Sequence, residues 1–168
     1  MRGRRALGSC SRISRRRFER GLSLSHISLT ARDARGLATF YEAALGCTPR
    51  RPLRELKGET VGRGNGLPGC TITSIWLNFP GLARPFLEIL ELDPPSPRAA
   101  PKVNEPGLGH LAFTVPDLDA AKALVLALGG SRQGMITDFG TPEAPLRMIY
   151  LRDPEGNLIN IFQEGTVD

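Results

Sequence analysis

The chain has 168 residues, 40% of them hydrophobic and 23% charged, with a formal net charge of +5. That is the size of one domain with a substantial core. It is too apolar for a disordered chain, and no apolar stretch approaches the ~20 residues needed to span a bilayer. The cysteines Cys10, Cys47 and Cys70 form no CxxC pair and make a poor disulfide framework, which fits a reducing, cytoplasmic setting.

The charge is concentrated at one end. Residues 1–21 hold eight arginines against Glu19 and carry +7, which leaves −2 on residues 22–168. A mildly acidic body is not expected to bind nucleic acid, and nothing in it calls for a membrane. The Arg-Ser bias of the first segment is that of a transit peptide, and Ser14-Arg15-Arg16-Arg17-Phe18 is similar to a twin-arginine signal. Export requires an apolar run next, whereas Gly21 to His26 alternates polar and apolar residues. Residues 1–21 are therefore expected to form a disordered Arg-rich extension.

From residue 22 the chain repeats itself. Leu24-Ser25-His26-Ile27-Ser28-Leu29-Thr30 returns as Leu108-Gly109-His110-Leu111-Ala112-Phe113-Thr114, and both alternate as half-buried strands do. Asp33 and Asp117 follow each strand at the same distance and are suited to cap a helix. Leu37, Phe40, Tyr41, Ala44 and Leu45, and then Ala121, Leu124, Val125 and Leu128, recur at helical spacing and give each helix one apolar stripe. Gly46 and Gly129 end the helices.

Strands are then expected near 48–56, 70–79 and 85–92 in the first copy, and near 130–137, 145–152 and 157–163 in the second. The glycine-rich stretch 58–69 reads as a loop and a candidate lid; it lacks the Lys-Ser/Thr of a phosphate loop. Asp153-Pro154-Glu155-Gly156-Asn157 reads as a hairpin turn. The proline-rich run 93–107 is a linker, so residues 22–168 form a single domain with module 1 at 22–92 and module 2 at 108–165. The fold class is α+β: two tandem βαβββ modules forming a curved, mixed β-sheet cavity with helices on the outer face.

Strand parity carries the chemistry. The bulky aliphatic residues of the first strands must face the helices, so His26 and His110 face the hollow side. In the last strands Glu88 takes that side with Phe86 and Leu90, and Asn160 takes the equivalent place in the repeat. A pseudo-twofold would gather His26, Glu88, His110 and Asn160. Two imidazoles and a carboxylate suit one first-row divalent metal ion (Zn, Ni, Mn, Co or Fe), and a carboxylate in Phe86-Leu87-Glu88-Ile89-Leu90 needs a partner to be buried. Phe86, Leu90, Trp76, Met148, Tyr150 and Phe162 are the expected substrate pocket. Arg54, Arg63 and Arg147 are the arginines considered for an anionic group, with ordinary surface charge as their simpler reading.

The chain resembles the vicinal oxygen chelate superfamily, which includes glyoxalase I, methylmalonyl-CoA epimerase, extradiol dioxygenases and fosfomycin- and bleomycin-resistance proteins. The resemblance covers residues 22–165. It rests on Leu24-Ser25-His26-Ile27, Phe40-Tyr41-Glu42-Ala43-Ala44-Leu45-Gly46, Phe86-Leu87-Glu88-Ile89, the run from Gly109 to Asp119, and Asp153-Pro154-Glu155-Gly156-Asn157-Leu158-Ile159. It implies metal ligands at His26, Glu88 and His110. Where the family usually has a terminal Glu this chain has Asn160, an amide that brings neither charge nor a base.

With both histidines assigned to metal, ring cleavage by an extradiol route ranks low. Lyase or isomerase chemistry through a metal-stabilised enolate or oxyanion on a small oxygenated metabolite ranks first, with Glu88 as the catalytic base. The alternative is a metal-free protein that sequesters a small molecule, of the bleomycin-resistance type. The resemblance also implies a homodimer, and leaves open whether a site forms within one chain or across two.

Overall fold

The computed structural model describes residues 22–165, so the extension expected at 1–21 lies outside the described residues. Module 1 runs β1 (His26–Ala31), α1 (Ala34–Leu45), β2 (Thr48–Pro49), β3 (Arg54–Leu56), α2 (Glu59–Asn65), β4 (Thr71–Asn78) and β5 (Phe86–Asp93). Module 2 runs β6 (Leu111–Thr114), α3 (Leu118–Ala127), β7 (Ser131–Arg132), β8 (Thr137–Asp138), β9 (Leu146–Arg152) and β10 (Leu158–Glu164). Each makes a five-stranded mixed sheet, ordered β1-β5-β4-β2 and β6-β10-β9-β7, with β3 and β8 also paired to the long central strands. The first strand of each module is parallel to the last, and the other pairings are antiparallel.

One face of each sheet meets the helices. Leu29, Leu77, Leu87 and Ile89 pack with Leu37, Phe40 and Tyr41 of α1, and Ile149, Ile159 and Ile161 with Leu118 and Val125 of α3, in a single buried cluster spanning both modules. A core shared in this way fits halves that do not stand alone.

The helix caps follow the sequence. Asp33 accepts from Gly36 N and Asp117 from Ala120 N, both at 2.9 Å. α1 closes on Gly46 at φ +67°, and Gly129, at φ +89°, follows the end of α3. A second cap sits at repeat-equivalent places on the last strands: Glu91 Oε2 accepts from Ala34 N at 2.9 Å, and Gln163 Oε1 from Leu118 N at 3.1 Å. Strand parity does turn Glu91 toward the helix, but it is not the solvated strand-end charge that its position suggests. Its carboxylate satisfies an otherwise free N–H at the positive end of α1. Replacing it by Ala is expected to lower unfolding free energy by about 1 kcal/mol, and by Gln by less. Urea denaturation checks this; equal midpoints for all three proteins would refute it.

Three expectations change. The strand at 48–56 is broken into β2 and β3 around Pro52, which has no N–H to give a ladder. The strand at 130–137 survives only as the two-residue β7 and β8. The stretch read as a glycine-rich loop contains α2, where a Cβ on Gly62 would lie 2.9 Å from both Leu67 O and Pro68 Cα. That glycine reflects close backbone packing rather than a lid.

The modules join at the end of β1, over the predicted turn between β9 and β10. Arg32 N and Asp33 N both donate to Glu155 Oε1 at 3.0 Å, and Arg32 Nε to Oε2 at 2.8 Å. In the interior, Tyr41 OH of α1 donates to Asp153 Oδ2 at 3.0 Å.

Candidate functional site

The first half-site lies on the sheet face opposite α1. His26, 39% exposed, places its Nε2 3.4 Å from Oε2 of Glu88, which is 15% exposed. Trp76 stands opposite Glu88 in the β4–β5 ladder, and its Nε1 donates to Glu88 Oε1 at 2.8 Å. One carboxylate oxygen is thus fixed by the indole while the other faces the imidazole. Phe86 is the β5 partner of His26, with ring centres 5.1 Å apart, and it lies 4.4 Å from Trp76. Leu90 continues the same face. Period-two alternation sets all five on one face of the sheet.

The second half-site repeats this in module 2. His110 stands just before β6 and meets Tyr150 edge-on at 5.1 Å. Asn160 is the ladder partner of Tyr150, and Phe162 of Met148. Asn160 is fully buried; its Nδ2 reaches only Met148 Sδ, at 4.0 Å, and its Oδ1 has no partner.

The halves do not meet within one chain. Among the described residues, no three of His, Cys, Asp and Glu come close enough to hold a metal ion. The convergence of His26, Glu88, His110 and Asn160 in a single chain is therefore not found. Module 2 docks through Glu155 on the end of β1 and Asp153 on α1, and His110 borders a cavity with Ile27, which alternates to the side of β1 opposite His26. Among the described residues, Phe86, Leu90, Trp76, Met148, Tyr150 and Phe162 border none of the three main cavities. A cavity of about 610 Å³ between α1, β6 and the loop after Phe79 is bordered by His110 and by none of those six.

The donor types and the spacing of the first pair are those a divalent ion takes. A catalytic zinc-type centre takes three protein ligands, and two ligands about 2.1 Å from a tetrahedral ion stand roughly 3.4 Å apart. The His26–Glu88 separation matches that spacing. The orphaned Asn160 oxygen is a buried acceptor with nothing to accept. One half offers an imidazole and a carboxylate and the other an imidazole, donor types that first-row metals accept.

Two residues on the first half-site escaped the sequence reading. The Arg51 guanidinium lies 4.0 Å from the Trp76 ring centre, and that of Arg50 lies 4.8 Å from Phe86. Their only sequence signal is a dibasic pair in a connecting segment. Among the arginines considered earlier, Arg54 does lie on this face, opposite Ser74. Arg147 pairs with Asp119 at 2.9 Å, and Arg63 is exposed on α2.

Two βαβββ modules with a histidine at the start of each are the architecture of the vicinal oxygen chelate superfamily. Within it, the chain belongs to the glyoxalase-like domain family, whose sequence profile matches residues 26–162. Among solved structures it is similar to a glyoxalase family protein from Bacillus cereus, at 22% identity and a TM-score of 0.78, covering 89% of this chain and 98% of the other. It is also similar to a glyoxylase/bleomycin resistance protein/dioxygenase domain from Frankia sp., at 21% identity and a TM-score of 0.56, covering 86% and 100%. A third is a mutant of the fosfomycin resistance protein FosX from Listeria monocytogenes, solved with Mn(II) and 1S,2S-dihydroxypropylphosphonic acid, at 18% identity and a TM-score of 0.51, covering 83% and 90%. No curated protein matches the chain.

Proposed function

We propose that this chain is a divalent-metal-dependent, glyoxalase-like enzyme acting on a small oxygenated metabolite in the cytoplasm. Its centre joins His26 and Glu88 of one copy to His110 of a second; the amide oxygen of Asn160 is buried in the free chain and is not offered across the interface. The observation that carries the reading is the His26–Glu88 pair, two metal-type donors 3.4 Å apart on an open face. Each half supplies too few ligands alone, so a homodimer is the assembly that completes the set. A bound divalent ion would polarise a substrate carbonyl and stabilise the oxyanion or enolate of a lyase or isomerase reaction.

The protein's own share falls to Glu88. It is the carboxylate of the half-site face, and the bond from Trp76 Nε1 to its Oε1 fixes its orientation. In this reading Glu88 would take the substrate proton on leaving the metal, or a bound water would, because the amide of Asn160 cannot act as a base near neutral pH. The half-buried Trp76, backed by the buried Phe86, orients the apolar part of the substrate.

The Mn(II) in the FosX structure makes manganese the first ion to try. Titrating the purified chain with Mn(II), followed by loss of the free-ion resonance signal, is expected to give one site per chain. Glu88→Gln and His26→Ala are each expected to weaken binding about tenfold or more. Equal affinity in both variants would refute the assignment. Asn160 favours a second reading, a metal-free sequestering protein of the bleomycin-resistance type, since it deprives the centre of its usual fourth charge. Protein purified without added metal and free of it after Mn(II) dialysis would select that reading.

A further inference from the structure

The first half-site carries more positive charge than it compensates. Arg50, Arg51 and Arg54 stand on or over the face that holds His26 and Glu88, and among the described residues none of the three is within 4.0 Å of a carboxylate. The carboxylate of that face, Glu88, is already engaged by His26 and Trp76.

The two stacked arginines are held in place by neutral groups. Arg51 donates through Nη2 to Ser74 Oγ at 2.9 Å and through Nη1 to Pro52 O at 3.1 Å, and its buried Nε has no acceptor. Arg50 donates from Nη1 alone, to Asn78 Oδ1 at 2.6 Å and Ala83 O at 3.1 Å. Partial burial, and next the neighbouring Arg54, push the Arg51 pKa down, with Glu88 opposing them. A part-buried guanidinium beside a like charge is an unfavourable arrangement that a nearby oxyanion would relieve, and Arg50 keeps Nε and Nη2 open to bond one. The planar fork suits carboxylate and phosphate-type oxygens equally, and ring stacking fixes its orientation beforehand.

We propose that Arg50 and Arg51 bind an acidic group of the substrate, a carboxylate, phosphate or phosphonate, directly beside His26 and Glu88. The assignment rests on this face being half of the proposed site, and it restricts the substrate to small anions.

Trp76 is the single tryptophan of the chain, so its fluorescence reports on this face. The full chain would be titrated with sodium acetate, inorganic phosphate and methylphosphonate at constant ionic strength, with chloride as control. A saturable change beyond chloride is expected for at least one oxyanion, and the one that saturates lowest identifies the group. Arg51→Ala and Arg50→Ala are expected to weaken it about tenfold, Arg54→Ala by less, and Arg63→Ala not at all. If Arg51→Ala does not fold, Arg51→Lys keeps the charge but loses the fork, and is expected to weaken binding as well.

A response no greater than that to chloride, or one unchanged in folded Arg51 variants, overturns the proposal. Every titration is run with and without chelator. Loss of the anion response with Mn(II) binding intact removes this inference alone. Loss of Mn(II) binding with the anion response intact removes the metal reading alone.

Discussion

Mixing two variants that cannot bind metal is expected to restore binding. In His26→Ala the first half-site lacks its imidazole, and in His110→Ala the second does, so each variant alone has no complete centre. When the two are co-refolded, a mixed dimer pairs the intact first half of one copy with the intact second half of the other. Random pairing makes half of the dimers mixed, each with one good centre of two, so about a quarter of wild-type Mn(II) capacity should return. Equilibrium dialysis measures this directly. A site built within one chain would recover nothing, because every chain in the mixture lacks one histidine. No recovery, with both variants folded and dimeric, would therefore rule out the cross-copy centre. The expectation follows from the in-chain arrangement: among the described residues His26, Glu88 and His110 do not form one cluster able to hold a metal ion.

The parts of this arrangement that were legible in the sequence are those set by local periodicity. Alternation in His26–Ala31 and Phe86–Asp93 fixes which side chains share a face, whatever the neighbouring module does. The placing of His26 and Glu88 on the hollow side followed from that, whereas Tyr150 beside Asn160 depends on the β9–β10 register, which alternation does not give. The helix caps at Asp33 and Asp117 were legible because a cap bonds within its own first turn. What was not legible depends on contacts between distant residues. Tyr41 and Asp153 are 112 positions apart, and nothing in either segment announces the other. A pseudo-twofold was implied by the repeat, but the sequence does not say where its axis passes. Helix α2 was hidden because five glycines between 58 and 69 signal a loop, whereas Gly62 is small so that the chain at Leu67 and Pro68 can cross it.

The buried turn that joins the modules should be the most sensitive point for stability. Asp153 is 2% exposed, yet its carboxylate is fully used: Oδ1 accepts from Glu155 N at 3.0 Å and Asn157 N at 2.9 Å, and Oδ2 from Asn157 Nδ2 at 2.9 Å and Tyr41 OH at 3.0 Å. Replacing Asp153 by Ala leaves these donors without an acceptor in the interior and is expected to cost about 3–5 kcal/mol, by the penalty for breaking a buried charged network. Tyr41→Phe removes one donor and keeps the ring in the core, so about 1–2 kcal/mol is expected. Because both changes act on the same bond, Tyr41→Phe should cost almost nothing in the Asp153→Ala background, and additive losses would refute the coupling. The acid range supplies a second readout. Burial raises the Asp153 pKa from its usual 3.8, while the bonds from Asn157, Tyr41 and Glu155 hold it down, with a net upward shift. The folded chain therefore keeps this proton to higher pH than the unfolded chain. The stability it confers is fully present below about pH 3.8 and is lost as pH rises through the raised value. Asp153→Asn cannot titrate and should abolish that fall. Urea midpoints taken from pH 3 to 7 for the wild type and Asp153→Asn would show the two curves converging in slope only once the wild-type carboxyl has ionised.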